Sequence, residues 1–215
     1  ARAGEGPQHE LSARVSLSAR YVHKSLDRSI EDVGVLVPGI GEVFFIANPG
    51  FGFLVPAEGG GATWCGNSRE NQLTPWSNDP VTDAPGEAFY VRDEASGELW
   101  TPTAQPVRGA GRYEARHGRG YSRFAHEAHD IALELLQFVP LADPVKISRL
   151  TLHNRSGNAR RLTVTAYAEW VLGTCRAASA PFILTTNDAA PGAVNGRGRG
   201  AVWSVVSPTG EPIES

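Results

Sequence analysis

Residues 112–140 read RYEARHGRGYSRFAHEAHDIALELLQFVP, and the fold of the chain turns on how this stretch is taken. Residues from Ala125 to Phe138 have good helix propensity, so one reading is a helix. The other starts from Ile131, Leu133 and Leu135, whose alternation lines one side of a strand. Gly118 and Gly120 add a hairpin turn just before Tyr121. The strand reading is preferred, and the helix stands as its competitor.

Outward from this stretch the strand signals accumulate. Residues 145–154 (VKISRLTLHN) and 160–172 (RRLTVTAYAEWVL) are expected to form a hairpin through Arg155-Ser156-Gly157-Asn158. In the second arm Leu162, Val164, Ala166, Ala168 and Trp170 share a face, opposite Thr163, Thr165, Tyr167 and Glu169. A second hairpin joins residues 87–93 (EAFYVRD) to 98–101 (ELWT) through Glu94-Ala95-Ser96-Gly97. From Val35 a β-branched and aromatic run is broken at Pro38, Gly39 and Gly41, and Asn48-Pro49-Gly50 turns it into Phe51–Val55. Phe182–Thr186 and Ala201–Val206 complete roughly ten strands, enough for two packed antiparallel sheets. The expected fold is all-β, an antiparallel β-sandwich over 35–215. Residues 1–34, with no clean period, are set apart as a leading segment.

Composition agrees. The 215 residues carry 41% hydrophobic side chains, enough for a sizeable core, and the 24 Gly and 15 Pro imply many turns. A formal charge of −3 offers no footprint for nucleic acid, so none is expected as a partner. Cys65 and Cys175 have no metal-site spacing and read as two free thiols of a reducing compartment. No apolar run reaches the ~18 residues of a membrane span, and the start ARAGEGPQHE lacks the apolar stretch of a signal peptide. The chain is expected to be soluble and cytoplasmic. Its lack of methionine and its first residue, alanine, fit an excised piece of a longer protein.

Chemical motifs are sparse. His126 and His129 would share a helix face but oppose each other on a strand, and no third ligand stands near, so no metal site is expected. Glu58-Gly-Gly-Gly61 has the glycines of a phosphate loop without its lysine or its helix. Arg116-His117-Gly118-Arg119 gathers cationic groups at a hairpin tip, a candidate for phosphate or a solvated turn. There is no G-x-S-x-G elbow, no serine at an informative spacing from a histidine, and no cofactor signature. No catalytic group stands out.

Residues 70–83, ENQLTPWSNDPVTD, hold a tryptophan among polar residues. Trp76 beside Asn71, Gln72, Asn78 and Asp79 offers an apolar plate with paired hydrogen-bonding groups, which suits a sugar ring. The alternative is a tryptophan that pins its loop to the sandwich. Arg69, Arg116 and His117 complete the candidate carbohydrate-binding or docking residues.

Several long stretches carry a resemblance: IANPGFGFLV, NSRENQLTPWSNDPVTDAPGEAFYVRD, GELWTPTAQPV, ARHGRGYSRF and LQFVPLADPVKISRLTLHNRSGNARRLTVTAYAEWVLG. The run from Ile46 to Leu172 resembles the N-terminal β-sandwich of the glycoside phosphorylases of glycoside hydrolase family 94. It is more closely similar to the corresponding region of cyclic β-1,2-glucan synthases. The resemblance implies a galactose-mutarotase-like supersandwich, joined in the family to an (α/α)6 barrel that carries the catalytic aspartic acid of an inverting phosphorolysis. It further implies a non-catalytic domain of a carbohydrate-active enzyme. Its expected partners are a β-glucan or oligosaccharide, the barrel of the same parent chain and a second protomer in a homodimer, and the parent would lie in a bacterial inner membrane. An independent carbohydrate-binding module and a pure interaction scaffold are the alternatives.

Overall fold

The computed structural model describes residues 15–20, 33–37, 41–76, 85–188, 193–198 and 201–206, with side chains over 43–76 and 85–186. Its strands are β1 (Val15–Arg20), β2 (Val33–Val37), β3 (Gly41–Asn48), β4 (Phe51–Pro56), β5 (Ala62–Cys65), β6 (Glu87–Asp93), β7 (Leu99–Trp100) and β8 (Tyr113–Gly118). They continue as β9 (Tyr121–Ala128), β10 (Ile131–Phe138), β11 (Val145–Asn154), β12 (Leu162–Ala168), β13 (Leu184–Asp188), β14 (Ala193–Gly198) and β15 (Ala201–Val206). One helical turn, α1 (Arg176–Ser179), and a 3-10 turn at Ala180–Phe182 interrupt them. The described strands thus outnumber the expected ten: β1, β5 and β14 have no expected counterpart, and β5, four residues long, is too short to show a period of its own.

The strands pair antiparallel in three sheets: eight strands in the order β13-β14-β15-β1-β11-β10-β9-β8, four in the order β2-β3-β4-β5, and three in the order β12-β6-β7. Residues 15–20, inside the segment set apart at the N-terminus, pair with β11 on one side and β15 on the other.

The helix alternative for 125–138 is resolved in favour of strands. Ile131, Leu133 and Leu135 are buried at 0–2% exposure while Ala132, Glu134 and Leu136 take the other face. The turn between β9 and β10 is His129-Asp130, both left-handed at φ 53° and 60°, the conformation a two-residue hairpin needs and usually obtains from glycine. Here the turn is pinned instead. Arg155 N–H donates to Asp130 O (2.8 Å), Arg160 Nη1 to His129 O (2.9 Å), and His129 Nδ1 lies 2.7 Å from the Glu98 carboxylate.

Of the two expected hairpins, the one around residues 94–97 is present. β6 pairs with β7, Gly97 has φ 74°, and the Asp93 carboxylate accepts from the Ala95 and Ser96 N–H groups. The hairpin expected over 145–172 is not. β11 lies in the eight-stranded sheet between β10 and β1, and β12 pairs with β6 in the three-stranded sheet. Both edges of β11 are occupied, so the chain crosses to the other layer. Arg160 fixes the landing through its ion pair with the 2%-exposed Asp93.

The main core is filled from all three sheets: Ile46, Phe53 and Val55 from the four-stranded sheet, Phe89, Val91 and Trp100 from the three-stranded one, and Phe124, Ile131, Leu133, Leu135 and Leu150 from the large one. This is a β-sandwich with the two small sheets facing the large sheet. Its interior also holds an ion pair. Lys146 of β11 reaches Glu87 of β6 and stands 4.3 Å over the Phe53 ring, and Glu87 accepts from the Thr63 and Thr74 hydroxyls. Burial drives the Glu87 carboxyl upward, but the Lys146 charge and these donors outweigh it and leave its pKa below the ordinary carboxylate value.

Candidate functional site

In the large sheet, residues with even numbers in β8 and β10 and odd numbers in β9 and β11 face away from the core. The ladder then sets Arg116, Arg123, Leu136 and Arg149 in one row across four strands. On one side of it lies the row Gly118, Tyr121, Phe138 and Ile147; on the other lie Glu114, Ala125, Glu134 and Thr151. An arginine row is thus flanked by an aromatic row and an acidic one. Gly118 makes room for the aromatic row, since a Cβ there would stand 2.3 Å from the Tyr121 ring.

These side chains line a shallow concavity of about 560 Å³ formed by Arg116, Gly120, Tyr121, Arg123, Glu134, Leu136, Phe138 and Arg149. Arg123 pairs with Glu134, and Arg116 with Glu114. Arg149 has no acidic partner among the described residues. The face therefore presents guanidinium donors beside Tyr121 and Phe138, a combination able to stack on and hydrogen-bond a polyhydroxylated ring or to dock an acidic protein surface. The three carboxylates of the outward face, Glu114, Glu127 and Glu134, each pair with an arginine, Arg116, Arg155 and Arg123 in turn.

The candidate residues named from sequence do not converge on this face. Of the pair Arg116 and His117, only Arg116 points outward. His117 turns into the sandwich, where it stacks on Phe44 (centroids 3.6 Å, interplanar angle 6°) and its Nδ1 meets Ser122 Oγ at 2.9 Å. Burial pushes its pKa down, which disfavours the charged imidazolium. Ser122 is fully buried, and its contact with His117 offers no approach to a substrate. His126 is likewise inward, stacked on Tyr113, while His129 sits at a turn. No group of three His, Cys, Asp or Glu among the described residues could hold a metal.

Of the stretch before β6, residues 67–76 are described, and hydrogen bonds tie several of them to their neighbours. Asn67 Oδ1 accepts from the Arg69 and Glu70 N–H groups, leaving the Arg69 side chain 91% exposed. Asn71 Nδ2 donates to Cys65 O (3.0 Å), and the Gln72 backbone bridges Trp64 and Gly173. Trp76 is half-buried, packs against Val43, Leu54 and Ala62, and closes a water-sized void with Pro75, Pro85 and Gly59–Gly61. Asn78 and Asp79 lie outside the described residues. The Gly59–Gly61 run is a turn, where a Cβ on Gly59 would strike Thr103 at 2.3 Å.

Sequence reading missed Tyr121, Arg123, Glu134, Phe138 and Arg149. Their common signal is an outward position in the period of two, visible only once the register across β8–β11 is known.

Comparison with known proteins adds a family. The description "Glycosyl hydrolase 94, supersandwich domain" matches residues 40–201. The chain is 49% identical over 144 residues to the cyclic beta-(1,2)-glucan synthase NdvB of Rhizobium meliloti (strain 1021), covering 66% of this chain and 5% of that protein. It is 40% identical over 85 residues to the solabiose phosphorylase of Paenibacillus borealis, covering 39% of this chain and 11% of the relative. With the N,N'-diacetylchitobiose phosphorylase of Vibrio furnissii it shares 26% over 129 residues, covering 59% and 16%. The chain therefore spans a small part of each of these relatives.

Proposed function

The chain belongs to the glycosyl hydrolase 94 supersandwich-domain family, and on that premise we propose that it serves as a non-catalytic sandwich of a cyclic β-1,2-glucan synthase or a related inverting glycoside phosphorylase. In this role it supports glucan binding and docks an (α/α)6 catalytic barrel of the same parent protein. The observation that carries the reading is the outer face of β8–β11. It combines an arginine row, two aromatic rings and a shallow concavity, and it lacks a free acid or nucleophile.

A glucan would lay a sugar C–H face on Tyr121 or Phe138 and its hydroxyls against Arg149 and Arg123. The named relatives, a glucan synthase and phosphorylases, make a β-linked glucose oligomer the first ligand to try. Among the described residues no helix is long and apolar enough to cross a membrane.

Two assays test this. Incubating the isolated chain with β-1,2-glucan and phosphate should yield no glucose 1-phosphate; turnover abolished by a substitution within the chain refutes the non-catalytic role. Titration with β-1,2-gluco-oligosaccharides should shift amide resonances of β8–β11, and Arg149→Ala should weaken the effect. Shifts confined to the Trp76 loop would move the site there, and binding tighter than about 1 mM, worth roughly 4 kcal/mol, would favour an independent binding module.

A further inference from the structure

Three arginines, Arg116, Arg123 and Arg149, and one glutamate, Glu134, line the concavity on the outer face of β8–β11. The chain as a whole carries a formal charge of −3, so this patch runs against the sign of its own protein. Arg116 stands directly opposite Arg123 in the ladder, and Arg123 and Arg149 flank Leu136. Like charges set opposite one another cost stability. Acids one row away relieve part of that cost, Glu114 at Arg116 and Glu134 at Arg123. Across β10 the acid diagonal to Arg149 is the same Glu134, already held by Arg123.

The hydrogen-bonding inventory of the lining is one-sided. A guanidinium has five N–H donors and no acceptor. Apart from Glu134 and the Tyr121 hydroxyl, no side chain of the lining can accept. The O–H groups of a neutral sugar therefore find few acceptors here. An ionised carboxylate or phosphate ester instead presents acceptors, and the arginine fork meets its oxygens in pairs. Beside the arginines, Phe138 and the 42%-exposed Tyr121 stand opposite each other and offer a platform for a ring.

We propose that this face selects an anionic saccharide, a hexose ring bearing a carboxylate or a phosphate ester. Arg149, with Arg123 beside it, holds the acidic group while the ring lies on Tyr121 or Phe138. The proposal rests on the reading of this face as a sugar site and narrows its ligand class. The volume of about 560 Å³ suits one small molecule.

The experiment follows backbone amide shifts of the 215-residue chain at low ionic strength, where charge is least screened. The probes are glucose, glucose 6-phosphate, glucuronate, a neutral β-1,2-linked glucose disaccharide, inorganic phosphate and polyglutamate. At least one of the two acidic sugars should move β8–β11 amides with a Kd about tenfold or more below those of glucose, the disaccharide and inorganic phosphate. Whichever acid binds more tightly identifies the substituent. Arg149→Gln should shrink that preference to within about threefold, with a melt like that of wild type, because Arg149 is exposed and has no acidic partner among the described residues. A neutral sugar that binds this face as tightly as the acids overturns the proposal and leaves the sugar reading standing. Silence of the face toward every saccharide overturns both, and binding of polyglutamate alone would then assign it to an acidic protein segment. Inorganic phosphate binding as tightly as the acidic sugars, or a preference that survives Arg149→Gln, overturns the proposal as well.

Discussion

Replacing Glu87 with alanine is expected to be among the most damaging single changes in the sandwich. The substitution removes the partner of Lys146, whose side chain is 7% exposed, and strands the Thr63 and Thr74 hydroxyls. Breaking a buried ion pair from one side typically costs about 3–5 kcal/mol, because a charge is left without compensation. The Phe53 ring beneath the ammonium returns only about 0.5–2 kcal/mol, so the lower half of the range is the floor. For a domain of this size that corresponds to a fall in Tm of roughly 6–20 °C. The double variant Glu87→Leu/Lys146→Met removes both charges and should recover most of the loss, since an apolar pair of similar volume is often neutral.

Acid adds a second readout. The folded pKa of Glu87 lies below its ordinary value of 4.5, so the unfolded chain binds the proton more readily. The stabilisation is complete above that pH and drains away as pH falls through the folded pKa. Melts from pH 7 to pH 3 should therefore show a steeper loss for wild type than for the double variant. If Glu87→Ala costs less than about 1 kcal/mol, Lys146 reaches water and the buried-pair reasoning fails.

Other predictions concern packing. Trp76→Ala should lower stability by about 2 kcal/mol, roughly half the cost of truncating a fully buried aromatic, and leave sugar titrations unchanged; an unaltered melt with lost sugar binding would restore Trp76 as a platform. Gly118→Ala should displace the Tyr121 ring and lower Tm, and a Tyr121 resonance identical to wild type would contradict the close contact. A thiol reagent at neutral pH should label the exposed Cys175 at once and Cys65 only on unfolding, because Cys65 is buried and its pKa is pushed up to about 11. Equal labelling rates in the native protein would show the interior around Cys65 to be open.

Legibility in the sequence followed the range of the cause. Period-two alternation revealed strands, as in Ile131, Leu133 and Leu135, because it depends on neighbours two residues apart. The turns at Pro49-Gly50 and Glu94–Gly97 were visible for the same reason: glycine, proline and asparagine act locally, and Asn48 Oδ1 caps its own turn through Gly50 N–H (3.0 Å). His129-Asp130 carried no such mark, since distant Arg155 and Arg160 hold it. Alternation states which way a side chain points and is silent on which strand lies alongside. That silence explains the missed separation of β11 from β12 and the arginine row assembled from Arg116, Arg123 and Arg149. It also hid the pairing of Glu87 with Lys146, 59 residues apart. The opposed directions of Arg116 and His117, by contrast, followed from the strand period itself.

The position of β1 has a consequence for how the chain assembles. β8 to β11 form a meander whose neighbours in space are neighbours in sequence, so this half of the large sheet can close as soon as it is made. β13, β14 and β15 form a second such unit. Among the described strands only β1 joins the two, with β11 on one flank and β15 on the other. During synthesis it must wait for partners that emerge far later, an ordering that slows folding and leaves strand edges uncovered in the interval. Tension applied on the N-terminal side of β1 would pull on the strand whose departure separates the sheet into its two meanders.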